Sequence, residues 1–201
     1  MPDREKYQHA YGMVRQYQKH VLPFIEKRLG YAAVHELSSV WQAAIMPIHE
    51  ADSDQKKYEA AYSNWLWLSR CSHDFLADLL ERDEVAEYKR LLMQLHKRQH
   101  KNPDLAIYRM FGNYSALAKA WLYDMQWMTP IELTSKSKAQ FTCAVQDCKI
   151  LQTPATARIC RVDCRNVGTV LARKLYHLKR ETTASDHSCT ITLTPIEDED
   201  G

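Results

Sequence analysis

The stretch FTCAVQDCKILQTPATARICRVDC, residues 141–164, changes its repeat part-way, and that change decides how this part of the chain is built. Phe141, Cys143 and Val145 alternate with Thr142, Ala144 and Gln146, the period of two expected of a strand with one buried face. Thr153 and Pro154 then suit the cap and first position of a helix. Beyond them Cys160, Cys164, Val167, Leu171, Leu175 and Leu178 recur at helical spacing, with Asp163 at the edge of the stripe. Gly168 interrupts the composition of that stripe but not its phase. Further on, KRETTA, ASDHS and CTITLT read as strand, turn and strand, with Asp186 and His187 in the turn. Strand, helix and hairpin must bury their apolar faces against one another.

Upstream, residues 1–130 read as helices. The segment 4–30 is aromatic-rich, with a kink expected at Pro23 and a stop at Gly30. A second helix is expected over 35–50, broken near Pro47. Tyr62, Trp65, Leu68, Cys71, Phe75 and Leu79 keep a three-to-four-residue rhythm, and Asp83 can cap a helix carrying Val85, Tyr88, Leu92 and Leu95. Asn102, Pro103 and Asp104 form a strong helix start. The stripe Ile107, Phe111, Tyr114, Ala118, Trp121, Met125 and Met128 then predicts one long aromatic spine. The expected fold is α+β: a helical region, residues 1–130, packed on a small antiparallel sheet of about three strands with one long helix, residues 131–201.

The totals narrow the function classes. The 27 basic and 25 acidic residues leave a net charge of +2, no footprint for a polyanion, so nucleic acid is not an expected partner. Neither a signal-peptide apolar region nor a membrane-spanning run is read in the sequence, and a cytoplasmic address is expected. Thiols there stay reduced, so six cysteines do not imply three disulfides. There is no GxGxxG and no GxxxxGK[ST] phosphate loop.

The cysteines therefore carry the question. Cys143 and Cys189 fall on strand faces, Cys160 and Cys164 on the helix stripe, and Cys148 just past a strand end, where it can reach a pocket. Free cysteines often serve as small core hydrophobes. The C-x4-C and C-x3-C spacings resemble a zinc pattern only loosely. His96 and His100 share a helical face but lack a third ligand, and a solvated helix end is expected for them. His73 is expected away from any dyad with Cys71, because residues two apart do not share a helical face.

The order of residues in the C-terminal third resembles the L-2-amino-thiazoline-4-carboxylic acid hydrolase-like family. A strand is followed by Cys148, then Cys160 and Asp163 in a C-x-x-D step, then Arg180 and Thr183 on a strand, then Asp186 and Cys189 in a hairpin. Ser185 stands where the family has a turn glycine, Ile191 where it has an aromatic, and the segment between Cys148 and Cys160 is short. The resemblance implies a cofactor-free enzyme that opens a small cyclic amidine or thiazoline-like nitrogen heterocycle by thiol and carboxylate chemistry, in a biosynthetic or catabolic setting. It implies Cys148, Cys160, Asp163 and Cys189 as catalytic residues, with Arg180 and Trp121 binding substrate. His187, in the hairpin turn beside Cys189, is a further candidate acid or base, and Tyr114, on the aromatic stripe, a candidate wall of the substrate pocket. Arg161, Arg165 and Arg180 are the cations that could lower a thiol pKa. The expected partner is a small-molecule substrate, and a homodimer is compatible with the sequence. The same third also resembles 4-vinyl-reductase-type domains. That resemblance implies a non-enzymatic binder or sensor of a small hydrophobic molecule, with or without zinc; the ligands of a zinc ion would be Cys160 or Cys164, Glu181 and Cys189.

Overall fold

Proline and glycine punctuate the first hundred residues. In the computed structural model, which describes residues 1–77, 82–99, 102–137, 140–151 and 157–196, α1 (Asp3–Gln16) runs into a π-helical turn at Tyr17–Val21 and then α2 (Leu22–Leu29). Pro23 lies in the first turn of α2 and has no amide to offer the carbonyl four residues back; the wider turn directly before it absorbs that loss. The break expected at Pro23 is thus displaced by one turn. Gly30, at φ +85° and ψ 175°, ends α2, and α3 (Tyr31–Gln42) begins at the next residue and stops well short of Pro47. α4 (Asp54–Ala77) buries Ala61, Tyr62, Trp65, Leu68 and Leu76; α5 (Arg82–Gln99) follows with Tyr88, Leu92 and Leu95 buried. Leu79 and His100 lie outside the described residues. α1 packs along α4 and α5 with Ala10, Met13, Val14 and Tyr17 inward, the i, i+3, i+4, i+7 set of one helical face.

One expectation about histidine changes here, and a second histidine finds its partners. His96 is buried rather than solvated, because it continues the face of Leu92 and Leu95. His73 is buried within a hydroxyl network: its Nε2 meets Ser69 Oγ at 3.2 Å, its Nδ1 meets Tyr88 Oη at 3.2 Å, and Ser69 meets Tyr17 Oη at 3.1 Å.

The chain divides into two units, Met1–Gln99 and His100–Gly201, so the helices between residues 102 and 130 fall in the same unit as the sheet. The expected long spine is two helices, α6 (Leu105–Met110) and α7 (Tyr114–Met125). Gly112 at φ +60° breaks the run, and Asn113 caps α7 by accepting from the Ala116 amide at 3.0 Å. Ile107 and Phe111 are consequently 50% and 75% exposed, while Leu117, Ala118, Trp121 and Met125 are buried.

The sheet has four antiparallel strands in the order β1-β2-β4-β3: β1 (Ile131–Lys136), β2 (Phe141–Val145), β3 (Leu178–Ser185) and β4 (Ser188–Pro195). β1 escapes the sequence pattern because only Ile131 is buried, and its pairing to β2 slips between Leu133 and Ser135. Val145 faces Cys189, Cys143 faces Ile191 and Phe141 faces Leu193; across the hairpin Arg180 faces Leu193, Thr182 faces Ile191 and Ala184 faces Cys189. Directly opposed residues share a face, so Cys143, Cys189, Arg180 and Thr182 all point to one side. That side is covered by helix. A short α8 (Ala157–Ile159) continues as a π-helical segment, Cys160–Val167, and as α9 (Gly168–Tyr176), which packs on β3. Leu178 does not extend the helix: His177 turns left-handed, at φ 54°, and Leu178 opens β3. Thr153 and Pro154 lie outside the described residues. Among the described residues, no helix is long and apolar enough to cross a membrane.

Candidate functional site

Arg180 organises the buried side of the C-terminal sheet. It is only 7% exposed, and Nη1 donates to the Cys164 carbonyl. The π-helical segment explains why that carbonyl can receive it. The Gly168 amide is directed to the carbonyls of Asp163 and Arg165 rather than to that of Cys164, four residues back. Gly168 is also the place where the guanidinium crosses the helix. A Cβ there would overlap Arg180 Nη1 and stand 3.3 Å from Cζ. The guanidinium lies over the Trp121 ring, 5.5 Å from its centre. Tyr176 donates to Asp124, tying the end of α9 to α7 one turn beyond Trp121.

Four thiols gather around this cation. Cys160, Cys164 and Cys189 each feel the charge of Arg180 and of Cys148. Burial nevertheless dominates every shift. It pushes the Cys189 thiol up to about 11 and Cys164 well above its ordinary value, and it raises Cys160, with Arg180 opposing in each case. Cys143, away from the cation, is raised to about 11 by burial alone. The expected activation of a thiolate by Arg161, Arg165 and Arg180 is therefore corrected. Arg161 and Arg165 are exposed, and the one buried arginine does not outweigh desolvation. Burial in turn lowers the pKa of Arg180 itself, which stays a cation.

Cys148 is placed by the backbone. Asp147 adopts φ 51°, which turns the chain after β2 so that the Cys148 amide donates to the His187 carbonyl at 2.6 Å. The Thr129 hydroxyl lies 3.8 Å from Cys148 Sγ. His187 is exposed in the two-residue turn between β3 and β4, where its Nδ1 donates to the Leu151 carbonyl at 3.2 Å. That bond fixes the tautomer and leaves Nε2 as the acceptor in the neutral ring.

Asp163 is 1% exposed and close enough to Cys164 for its charge to raise that thiol. The expected position at the rim is thus corrected to the interior, because the widened π-helical turn carries Asp163 onto the buried side. Tyr114 does not join the group. It sits seven residues, or roughly 10 Å of helix, before Trp121, and lines a separate cleft of about 510 Å3 with Asn113, Lys136 and Phe141. Glu181 stands on the opposite face of β3 from Arg180, exposed and bonded to Lys179 at 2.8 Å, so it does not share a site with Cys160, Cys164 or Cys189. Among the described residues, no three His, Cys, Asp or Glu side chains form a group that could hold a metal ion.

Gly168 as a determinant, Thr129 beside Cys148, and Thr182 on the Arg180 face are not predicted from the sequence. A glycine holding the phase of a buried helical stripe was the available signal for close approach. Comparison with protein-family models, with curated proteins and with solved structures finds no match for this chain.

Proposed function

We propose that the C-terminal unit carries a cofactor-free hydrolase site that opens a small cyclic amidine of the thiazoline type. The supporting observation is the convergence of Cys148, Cys160, Cys164 and Cys189, drawn from a loop, a helix and a strand, around Arg180, with the Asp163 carboxylate buried beside Cys164. The residue order that resembles thiazoline-carboxylate hydrolases supports the same reading. The raised thiols favour water, not a cysteine, as the attacking group. In this scheme Asp163 takes a proton from water as its oxygen bonds to C2, the carbon between ring nitrogen and sulfur. The C2–S bond then breaks, and the departing sulfur takes a proton from a neutral cysteine. Arg180 stabilises the cysteine thiolate so formed, and the proton held by Asp163 restores that thiol. The net change is addition of one water and opening of the ring.

The test is turnover of a panel of 2-amino-thiazolines and related cyclic amidines by Cys160→Ser and Asp163→Asn proteins whose far-UV spectra match the parent. Asp163→Asn is expected to lose about a hundredfold or more, in the range of a removed acid–base group. Unchanged turnover in both variants overturns the reading, as does a folded parent that turns over none of the panel. One observation favours a second reading, a non-enzymatic binder of a small hydrophobic molecule: burial pushes up the thiols of Cys143, Cys160, Cys164 and Cys189, so none of them is activated. Panel compounds that raise the melting temperature without being consumed would select the binder.

A further inference from the structure

We propose that a cleft at the end of the C-terminal sheet binds a small organic anion, a carboxylate carrying a short alkyl chain. This does not rest on the hydrolase reading, and no cysteine lines the cleft. Its volume is about 490 Å3, within the range typical of small-molecule sites. Arg173 of α9 with Lys179 and Arg180 of β3 make a cationic side; Leu178, Pro195 and Ile196, where β3 begins and β4 ends, make an apolar one.

The cations are not equally engaged. Lys179 is paired with Glu181 at 2.8 Å. No ion pair joins Arg173 or Arg180 to a carboxylate among the described residues. Arg180 is the telling case. A guanidinium this buried ordinarily has a counter-charge, because an uncompensated ion inside a protein is costly. Here Nη1 donates to the Cys164 carbonyl and the Nε–H, shielded from solvent, finds no acceptor among the described residues. A carboxylate held in the cleft by the exposed Arg173, whose planar guanidinium fork it matches, brings a counter-charge up to the buried Arg180. The apolar side makes a bare inorganic anion a poorer fit than an acyl chain. Each methylene buried there should tighten binding about fourfold until the cleft is filled.

The experiment is calorimetric titration of the full chain with acetate, butanoate, hexanoate and octanoate, with octan-1-ol and inorganic phosphate as controls. Affinity is expected to rise along the carboxylate series, with octan-1-ol and phosphate each about tenfold or more weaker than octanoate. Arg173→Glu, on the exposed side of α9, is expected to weaken octanoate about tenfold while leaving the melting temperature and the alkylation rate of Cys189 unchanged. No binding of octanoate at millimolar concentration overturns the proposal. So does equal binding of octan-1-ol or phosphate, or an Arg173→Glu protein that binds octanoate as the parent does.

Discussion

Gly168 and Arg180 are a matched pair, and a single methyl group separates the native arrangement from its loss. Gly168→Ala gains about 0.5–1 kcal/mol of helix propensity. Against that, the new Cβ occupies the position of Arg180 Nη1, so the bond to the Cys164 carbonyl and the stacking on Trp121 are lost together. A hydrogen bond from a charged donor is worth about 1.5–3 kcal/mol, and loss should win by about 1–2 kcal/mol, seen as a lower urea midpoint. The thiols give a second prediction. With Cys189 raised to about 11, its thiolate fraction at pH 7 is on the order of one in ten thousand. Alkylation by iodoacetamide should therefore be slow at neutral pH and accelerate about tenfold per pH unit up to about pH 10, measured by mass spectrometry of the modified peptide. Arg180→Met removes the cation that favours the thiolate, so the Cys189 pKa rises further and alkylation at pH 9 slows.

At the scale of elements, what was legible is what depends on neighbours in sequence. The alternation of Phe141, Cys143 and Val145 and the Asp186–His187 turn are both present, because residue period and turn chemistry are local. The long spine expected from the sequence breaks because Gly112-Asn113 combines a left-handed turn with a helix cap, which a continuing apolar stripe masks. Asn113→Ala should cost about 1 kcal/mol by leaving the first-turn amide of Ala116 without its acceptor. Gly30→Ala tests a different cause. Nothing lies within 4 Å of a Cβ there, so any loss comes from backbone strain alone, about 1–3 kcal/mol at its φ and ψ. Thermal melts of both variants should show lower midpoints with unchanged helical spectra. The π-helical segment at 160–167 had no sequence signature at all. It coincides with the place where Arg180, a residue of another element, donates to a helix carbonyl, and only the assembled layer reveals that. Asp163, expected at an edge of the stripe, is accordingly interior.

For the whole molecule, the division at residue 99 means that two cores form from two halves of one chain. The N-terminal core holds a polar chain, Tyr17–Ser69–His73–Tyr88, that no period in the sequence exposes, since its members come from the first π-helical turn, α4 and α5. His73→Leu removes bonds to two buried hydroxyls and should cost about 2–4 kcal/mol. Because Cys189 belongs to the other unit, its alkylation rate in the folded variant should match the parent; a change in that rate would show the two cores to be coupled. The thiol cluster was legible in outline because its residues follow the faces of their own strands and helix. The state of the thiols was not, since burial set against one arginine is settled only by the folded layer.

The margins of the sheet have a consequence of their own. A four-stranded sheet ends in two rows of backbone amides and carbonyls that invite another chain to add itself. β1 spoils its row with the slip between Leu133 and Ser135, and β3 carries the opposite charges of Lys179 and Glu181 outward. Both are known protections against strand-by-strand growth into fibrils, so the features that make β1 hard to read are also those that keep copies of this sheet apart.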